Sequence, residues 1–279
     1  MLKKKIDTFI ENINHCDKAF ICPICKSQLH INNKSLECNS GHCYNISKKG
    51  FVVLNEPSSE ALYGENLFLS RRNVFSSGYY DNIAEKIISI TNKLSFPEAK
   101  ILDAGCGEGF YTGRIASGIS SSICFGIDLS KSAIARATDY NNCIFSVADL
   151  SSLPFADSYF DVIVNILTPA CYNEFLRVLK PNGVLIKVIP GKNYLKELRN
   201  TLSKAYDNDN VLKHAYEAMN IIAQDEISYT LPLNQTNLKD FISMSPLTAN
   251  LSVKEKELLS QAPINEITID LIILTCNRK

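Results

Sequence analysis

The tightest constraint on this chain is a set of Cys and His residues standing where an apolar core is missing. Cys22-Pro-Ile-Cys25 and Cys38-Asn-Ser-Gly-His42 are separated by twelve residues. The segment from Phe20 to Leu54 is rich in Cys, Asn, Lys and Gly, with short β-like runs only at Gln28–Ile31 and Phe51–Leu54. So little apolar matter does not close a core, and a staple is required. Thiolate and imidazole suit zinc, and four protein ligands leave no coordination position open for chemistry. The set reads Cys22, Cys25, Cys38 and His42, with Cys43 as the alternative fourth ligand. Four scattered core cysteines are the competing reading, which the spacing and the missing core disfavour.

At 279 residues the chain fits one core of average size plus an appendage. Lys+Arg 29 against Asp+Glu 29 gives zero net charge, so no bulk field draws nucleic acid. Such contact must come from local patches: Lys3-Lys4-Lys5, Lys48-Lys49 and Arg71-Arg72, each of which also reads as a solvated face. No apolar stretch reaches bilayer length, and the start lacks an apolar signal core. The expectation is a cytoplasmic protein with reduced thiols. Cys106, Cys124, Cys143 and Cys171 lie in or beside apolar runs and read as inert core residues.

Ile6, Phe9, Ile10 and Ile13 mark an amphipathic helix in residues 1–19. Residues 20–57 form the expected zinc-binding domain, and Pro57-Ser-Ser opens a polar linker. The main domain is read over 58–279, with helical entry segments at Asn66–Phe75 and Tyr80–Leu94 inside 58–98. From Lys100, strands (Lys100–Leu102, Ile123–Ile127, Ile144–Val147, Phe160–Ile166, Val184–Val188) alternate with helices (Phe110–Ser117, Lys131–Thr138, Cys171–Leu179). Apolar strands with helical crossovers predict an α/β fold with a parallel sheet covered on both faces. Leu179–Gly183 reads as a turn, in which Pro181 stops the helix and Gly183 allows the bend. The tail predicts a helix over Tyr194–Gln224, a strand at Ile227–Leu231, helices at Thr236–Ser243 and Val253–Ser260, and a last strand at Glu266–Thr275. The two late strands are expected to pair as an antiparallel hairpin at the sheet edge.

Ile101-Leu102 delivers Asp103 to a strand end, and Gly105, Gly107 and Gly109 follow at alternate positions. Ligands of open α/β sheets bind above the carboxyl ends of strands, where glycine lets a ligand approach backbone. GxGxG is not the dinucleotide GxGxxG, so a pyrophosphate is not the implied guest. Asp128 at the second strand end is placed to accept ribose hydroxyls, and Asp149 at the third to meet an adenine amino group. The set implies S-adenosylmethionine. Each aspartate alone also reads as a helix cap.

Taken together, Cys22/Cys25/Cys38/His42, Arg71-Arg72-Asn-Val-Phe75 with Gly78-Tyr-Tyr80, Asp103–Thr112 and Pro190–Leu198 resemble the 23S ribosomal RNA guanine-N1 methyltransferases. The resemblance spans nearly everything from Phe20 onward, and the Cys/His knot and the Arg-Arg…Gly-x-Tyr segment are its specific parts. It implies a Rossmann-like class I methyltransferase sheet carrying a small zinc-binding domain, with S-adenosylmethionine and Zn(II) as cofactors. It further implies that Tyr80, Tyr111, Thr112 and Tyr194 contact S-adenosylmethionine, beside Asp103, Gly105, Gly107, Glu108, Asp128 and Asp149. Relatives often carry His at position 194 and vary before Pro169 in Asn165-Ile-Leu-Thr-Pro169. Members methylate a guanine in a hairpin of domain II of 23S RNA, and some confer macrolide resistance.

On this reading the partner is a 23S RNA hairpin, with no membrane and with a homodimer as one possible arrangement. Arg71 and Arg72 take phosphate or base, while Lys48 and Lys49 at the zinc tip clamp the stem. Asp149 and Glu108 lie near the methyl as candidate proton acceptors, and Asn165 is a candidate contact for the guanine edge or a polar core residue. Two other readings compete. One is a small-molecule methyltransferase with a structural zinc ribbon, the other a non-catalytic RNA-binding assembly factor.

Overall fold

In the computed structural model the described residues are 3–16, 18–55, 65–204, 206 and 209–279, with 65, 66 and 209 described in their backbone alone. The expected linker at Pro57 and the boundary at 57/58 lie outside them. Apolar residues at helical spacing build α1 (Lys5–Asn14), which buries Ile6, Phe9 and Ile13 on one side. The ribbon follows as three antiparallel strands, β1 (Leu29–Asn32), β2 (Ser35–Cys38) and β3 (Cys43–Asn45). Its chain then runs into β4 (Val52–Val53), which leaves the ribbon sheet and pairs in parallel with the large one.

Two helices, α2 (Glu65–Ser76) and α3 (Asp81–Lys93), lead into the alternating unit. It comprises β5 (Lys100–Ala104), α4 (Phe110–Gly118), β6 (Ile123–Asp128), α5 (Lys131–Ala137), β7 (Cys143–Val147), β8 (Phe160–Ile166), α6 (Tyr172–Val178) and β9 (Leu179–Pro190). The tail adds α7 (Lys196–Thr201), α8 (Asp209–Ala218), β10 (Asn220–Pro232), α9 (Gln235–Met244), α10 (Val253–Ser260) and β11 (Glu266–Asn277). The large sheet has eight strands in the order β10-β11-β9-β8-β5-β6-β7-β4. All neighbours from β9 to β4 are parallel, and β11 and β10 turn antiparallel at one edge, as the late strands predict.

The chain walks from β5 outward through β6 to β7, then returns to β8 on the other side of β5. That reversal makes the carboxyl ends of β5 and β8 the switch point where such sheets bind ligands. Buried residues form a cluster on each face. One face packs α3, α4 and α5 through Ile83, Ile87, Ile115 and Ile134. The other holds Phe125, Phe155, Phe160 and Phe175 together with Ile6, Phe9 and Ile13 of α1. No helix joins β7 to β8, whose connection runs through residues 148–159. The helix α1 and Phe20, whose ring lies 4.9 Å from Phe155 and 6.0 Å from Phe125, cover the sheet beside it.

Two expectations are corrected. Leu179–Gly183 is not a turn before a strand but an outward excursion inside β9, between the pairs Phe160↔Leu179 and Val162↔Val184. Gly183 serves close approach there, since a Cβ would stand 2.7 Å from Leu179 Cδ1. The helix expected over Tyr194–Gln224 is two helices, α7 and α8, and β10 begins at Asn220 rather than Ile227. Pairing along β11, from Asn220↔Asn277 to Pro232↔Glu266, overrides the helix-favouring composition of that stretch.

Candidate functional site

The metal quartet is brought together by three different ribbon elements. Cys22 and Cys25 sit on the knuckle before β1, Cys38 ends β2, and His42 stands in the loop before β3. Their ligand atoms lie within 4.8 Å of one another. Cys25 Sγ is 3.6 Å from Cys38 Sγ, and His42 Nδ1 is 3.3 Å from Cys38 Sγ and 3.5 Å from Cys22 Sγ. A tetrahedron with Zn–S bonds of about 2.3 Å has edges of about 3.8 Å, so the donor set fits zinc. Hydrogen bonds from the Ser27 hydroxyl and amide, then from Ser40, hold the Cys25 thiol down to about 5, which favours the ligating thiolate. Tyr44 Oη stands 3.2 Å from Cys22 Sγ as an outer partner of the site. Cys43 turns away instead, its thiol directed at Glu37 Oε1 at 3.5 Å. His42, and not Cys43, therefore stands with the three thiols.

At the switch point the glycines hold the backbone in conformations that other residues seldom adopt. Gly105, Gly107 and Gly109 have φ of +86°, +54° and +77°. The Gly105 and Cys106 amides donate to Ile127 O at 2.9 Å, and the Gly107 amide donates to Asp128 Oδ2 at 3.0 Å. A Cβ on Gly105 would stand 2.4 Å from Thr168 Cγ2, and one on Gly107 3.0 Å from an Arg71 guanidinium nitrogen. Asp103 is buried and accepts the Thr112 hydroxyl at 2.6 Å. Burial raises its carboxyl to about 7, with the Thr112 bond opposing and the Asp128 charge adding.

Several other expected residues converge on this loop. Glu108 is 7% exposed, and among the described residues neither carboxylate oxygen has a hydrogen-bond partner, the nearest cation being Arg136 Nε at 3.9 Å from Oε1. Burial raises its pKa against the pull of Arg71, Arg72 and Arg136. Tyr80 and Tyr194 share a hydroxyl contact of 2.7 Å, and the buried Tyr111 hydroxyl has no hydrogen-bond partner among the described residues. These orphaned polar atoms and the glycine cradle fit S-adenosylmethionine, whose sulfonium and ammonium need anionic and hydroxyl partners and whose carboxylate needs a cation.

The remaining expected residues make structural contacts of their own. Asp149 Oδ1 accepts the Ser151 amide at 2.8 Å, and Asp128 Oδ1 accepts the Ser130 amide at 2.8 Å, as turn-forming aspartates do. Asn165 is 0% exposed, its amide donating to Ala104 O at 2.7 Å and its carbonyl accepting from Lys187 Nζ, so it lies in the core with its polar atoms engaged. Arg71 is folded onto the glycine loop beside the Phe75 ring. Arg72 pairs with Asp139 at 3.1 Å, and Lys48 and Lys49 are exposed at the tip between β3 and β4. Lys187 and Thr168 are additions that the sequence reading does not contain. The signal for Lys187 is a charge inside the apolar run Val184–Val188.

A family model of a methyltransferase domain matches residues 95–239, and one described as RlmA, N-terminal, a zinc ribbon, matches residues 20–55. The Bacillus subtilis (strain 168) protein YxjB, assigned by name to the 23S rRNA (guanine-N1)-methyltransferases, is 33% identical over 275 residues, spanning 91% of this chain and 95% of its own. This chain belongs to that family. The Streptomyces fradiae 23S rRNA (guanine(748)-N1)-methyltransferase is 24% identical over 266 residues, again 91% of this chain and 95% of its own. Among solved structures, that of the MccD protein covers 70% of this chain and 97% of its own at 18% identity and a TM-score of 0.48. As a family member the chain is a methyltransferase whose cofactors are S-adenosylmethionine and zinc. Among the described residues no helix is long and apolar enough to cross a membrane.

Proposed function

We propose that this enzyme methylates N1 of a guanine in a hairpin of 23S ribosomal RNA, in the cytoplasm. The observation that carries the reading is a zinc ribbon and a glycine-loop switch point in one chain, co-linear over nearly its full length with a relative named for that reaction. The division of labour follows the expected domains, with residues 20–57 gripping RNA and 58–279 holding the donor. When bound, S-adenosylmethionine supplies a methyl on a sulfonium, open to in-line displacement.

The chain's part is to bind, orient and shield. Gly105, Gly107, Asp128 and Asp149 receive the nucleoside portion, and Tyr80, Tyr111, Thr112 and Tyr194 line the donor side with Asp103. Arg71 sets a cation against the cofactor's carboxylate. Guanine N1 normally bears a proton inside a base pair, so the base must be extruded and that proton must leave as the N–C bond forms. Glu108 suits the proton better than Asp149 or Asn165, because among the described residues no hydrogen bond reaches its carboxylate, whereas Asp149 Oδ1 and Asn165 Oδ1 each accept one. Lys48, Lys49 and Arg72 remain for phosphate. Pairing of two copies into one RNA cleft belongs to the same reading and is checked by analytical ultracentrifugation.

Tritium from labelled S-adenosylmethionine is expected in a 23S hairpin transcript, at a guanine identified by mass mapping. Transfer to small molecules alone, or RNA binding with no transfer, overturns the reading in favour of one of the two competing ones.

A further inference from the structure

A lysine is buried where neither the metal nor the donor loop requires it. Lys187 on β9 is 3% exposed and has no salt-bridge partner among the described residues. Its ammonium donates to Asn165 Oδ1 and to the backbone carbonyl of Thr168. The Asn165 amide in turn donates to Ala104 O, the residue before Gly105, and reaches Pro169 O at 3.4 Å. One buried cation thus ties the loop after β8 to the start of the glycine loop. Burial holds its pKa down to about 8, the mark of a site built at a cost in solvation.

What the tie holds is unusual. Leu167 has φ +52°, in the left-handed region that a bulky side chain seldom adopts. Of the non-glycine residues with positive φ among those described, only Leu167 and Leu195 are apolar, and Leu167 directly follows β8 at the switch point. Leu167 is fixed from below by its amide, which donates to Val188 O at 3.0 Å, and from the side by Thr168 seated against Gly105. The residue nevertheless remains 36% exposed at the carboxyl end of β8. A strained residue held by a buried network at a ligand-binding edge points to function.

We propose that Lys187, acting through Asn165 and Thr168, is a positioning residue for methyl transfer, holding Leu167 in its left-handed conformation as an apolar platform for the flat face of the acceptor base. The inference rests on the RNA-methylating reading for its substrate. Its structural half stands independently of that reading.

The test uses the full-length, zinc-loaded protein. In Lys187→Met the stem is kept and the donors are lost, so amides at residues 166–168 are expected to exchange at least tenfold faster with deuterium. Unchanged exchange overturns the tie. In single-turnover transfer to the hairpin transcript, Lys187→Met and Leu167→Gly are each expected to lose at least tenfold in rate. Binding of S-adenosylmethionine by calorimetry should stay within twofold, and Leu167→Met should restore the rate to within threefold. Rates that stay at the native level, or fall only in step with cofactor affinity, overturn the proposal. Should Lys187→Met not fold, Leu167→Gly carries the test, since glycine adopts φ +52° without strain. If the native enzyme binds the cofactor and transfers no methyl to RNA, the functional reading fails while the exchange arm still judges the tie.

Discussion

At the residue scale, Asp103 sets a cost that ionisation reveals. Its folded value of about 7 lies above the ordinary 3.8. Between those values the folded chain keeps a proton that the unfolded chain has lost, so stability falls as pH rises through the window and is lowest above it. A neutral amide in place of the carboxyl escapes this. The stability advantage of Asp103→Asn over the native chain, measured by urea titration without cofactor, is expected to grow by roughly 2–3 kcal/mol from about pH 5 to about pH 8. A difference independent of pH would remove the explanation. Arg71 makes a second case. Because its guanidinium lies on the Gly107 backbone, Arg71→Ala should weaken S-adenosylmethionine binding tenfold or more while leaving the salt dependence of RNA binding nearly intact. Arg72→Ala should do the reverse, flattening the salt slope by about one phosphate's worth. Equal effects of both on the salt slope would return Arg71 to the RNA surface.

At the element scale, the ribbon has no core of its own, its Phe20, Leu29 and Leu36 being buried in the cluster shared with one sheet face, and it leans on its metal. Stripping zinc with a chelator is expected to release residues 20–45 to rapid hydrogen exchange, with RNA affinity falling at least tenfold. Cofactor affinity should change less than threefold, because the ribbon's own three strands form a sheet separate from the one that carries the glycine loop. His42→Ala should lose bound zinc and Cys43→Ser should keep it, as read by metal analysis of the dialysed proteins. The central elements are legible in the sequence because strands buried on both faces, such as Phe160–Ile166, are written as nearly unbroken apolar runs. Asn220–Glu226 escapes such a reading because an edge strand has solvent beside it and needs no apolar pattern, and its hydrogen bonds come from β11, far along the chain. The glycine loop and metal quartet are visible because each is a local spacing. The seat of Arg71 is not, because it depends on how α2 is rotated against α9 and the sheet, which no local pattern states.

At the scale of the whole molecule, α1 completes a face that the β7–β8 connection leaves without a helix. Ile6, Phe9 and Ile13 are buried there, and Lys5 and Asn12 reach Asp139 and the Asn141 carbonyl. Phe9→Ala should therefore cost about 3 kcal/mol of unfolding free energy, and removal of residues 1–14 should lower the melting temperature of the entire domain. If denaturant midpoints of both variants match the native chain, α1 is an ornament and the face is closed by something else.

The parallel pairing of Val52–Val53 with Ser146–Val147 has one more consequence. A grip stitched into the same fabric as the donor shelf behaves as a calliper of fixed gape and not as a hook on a line. Its guest must arrive already bent to the right span, which favours a preformed hairpin over an extended strand carrying the same bases.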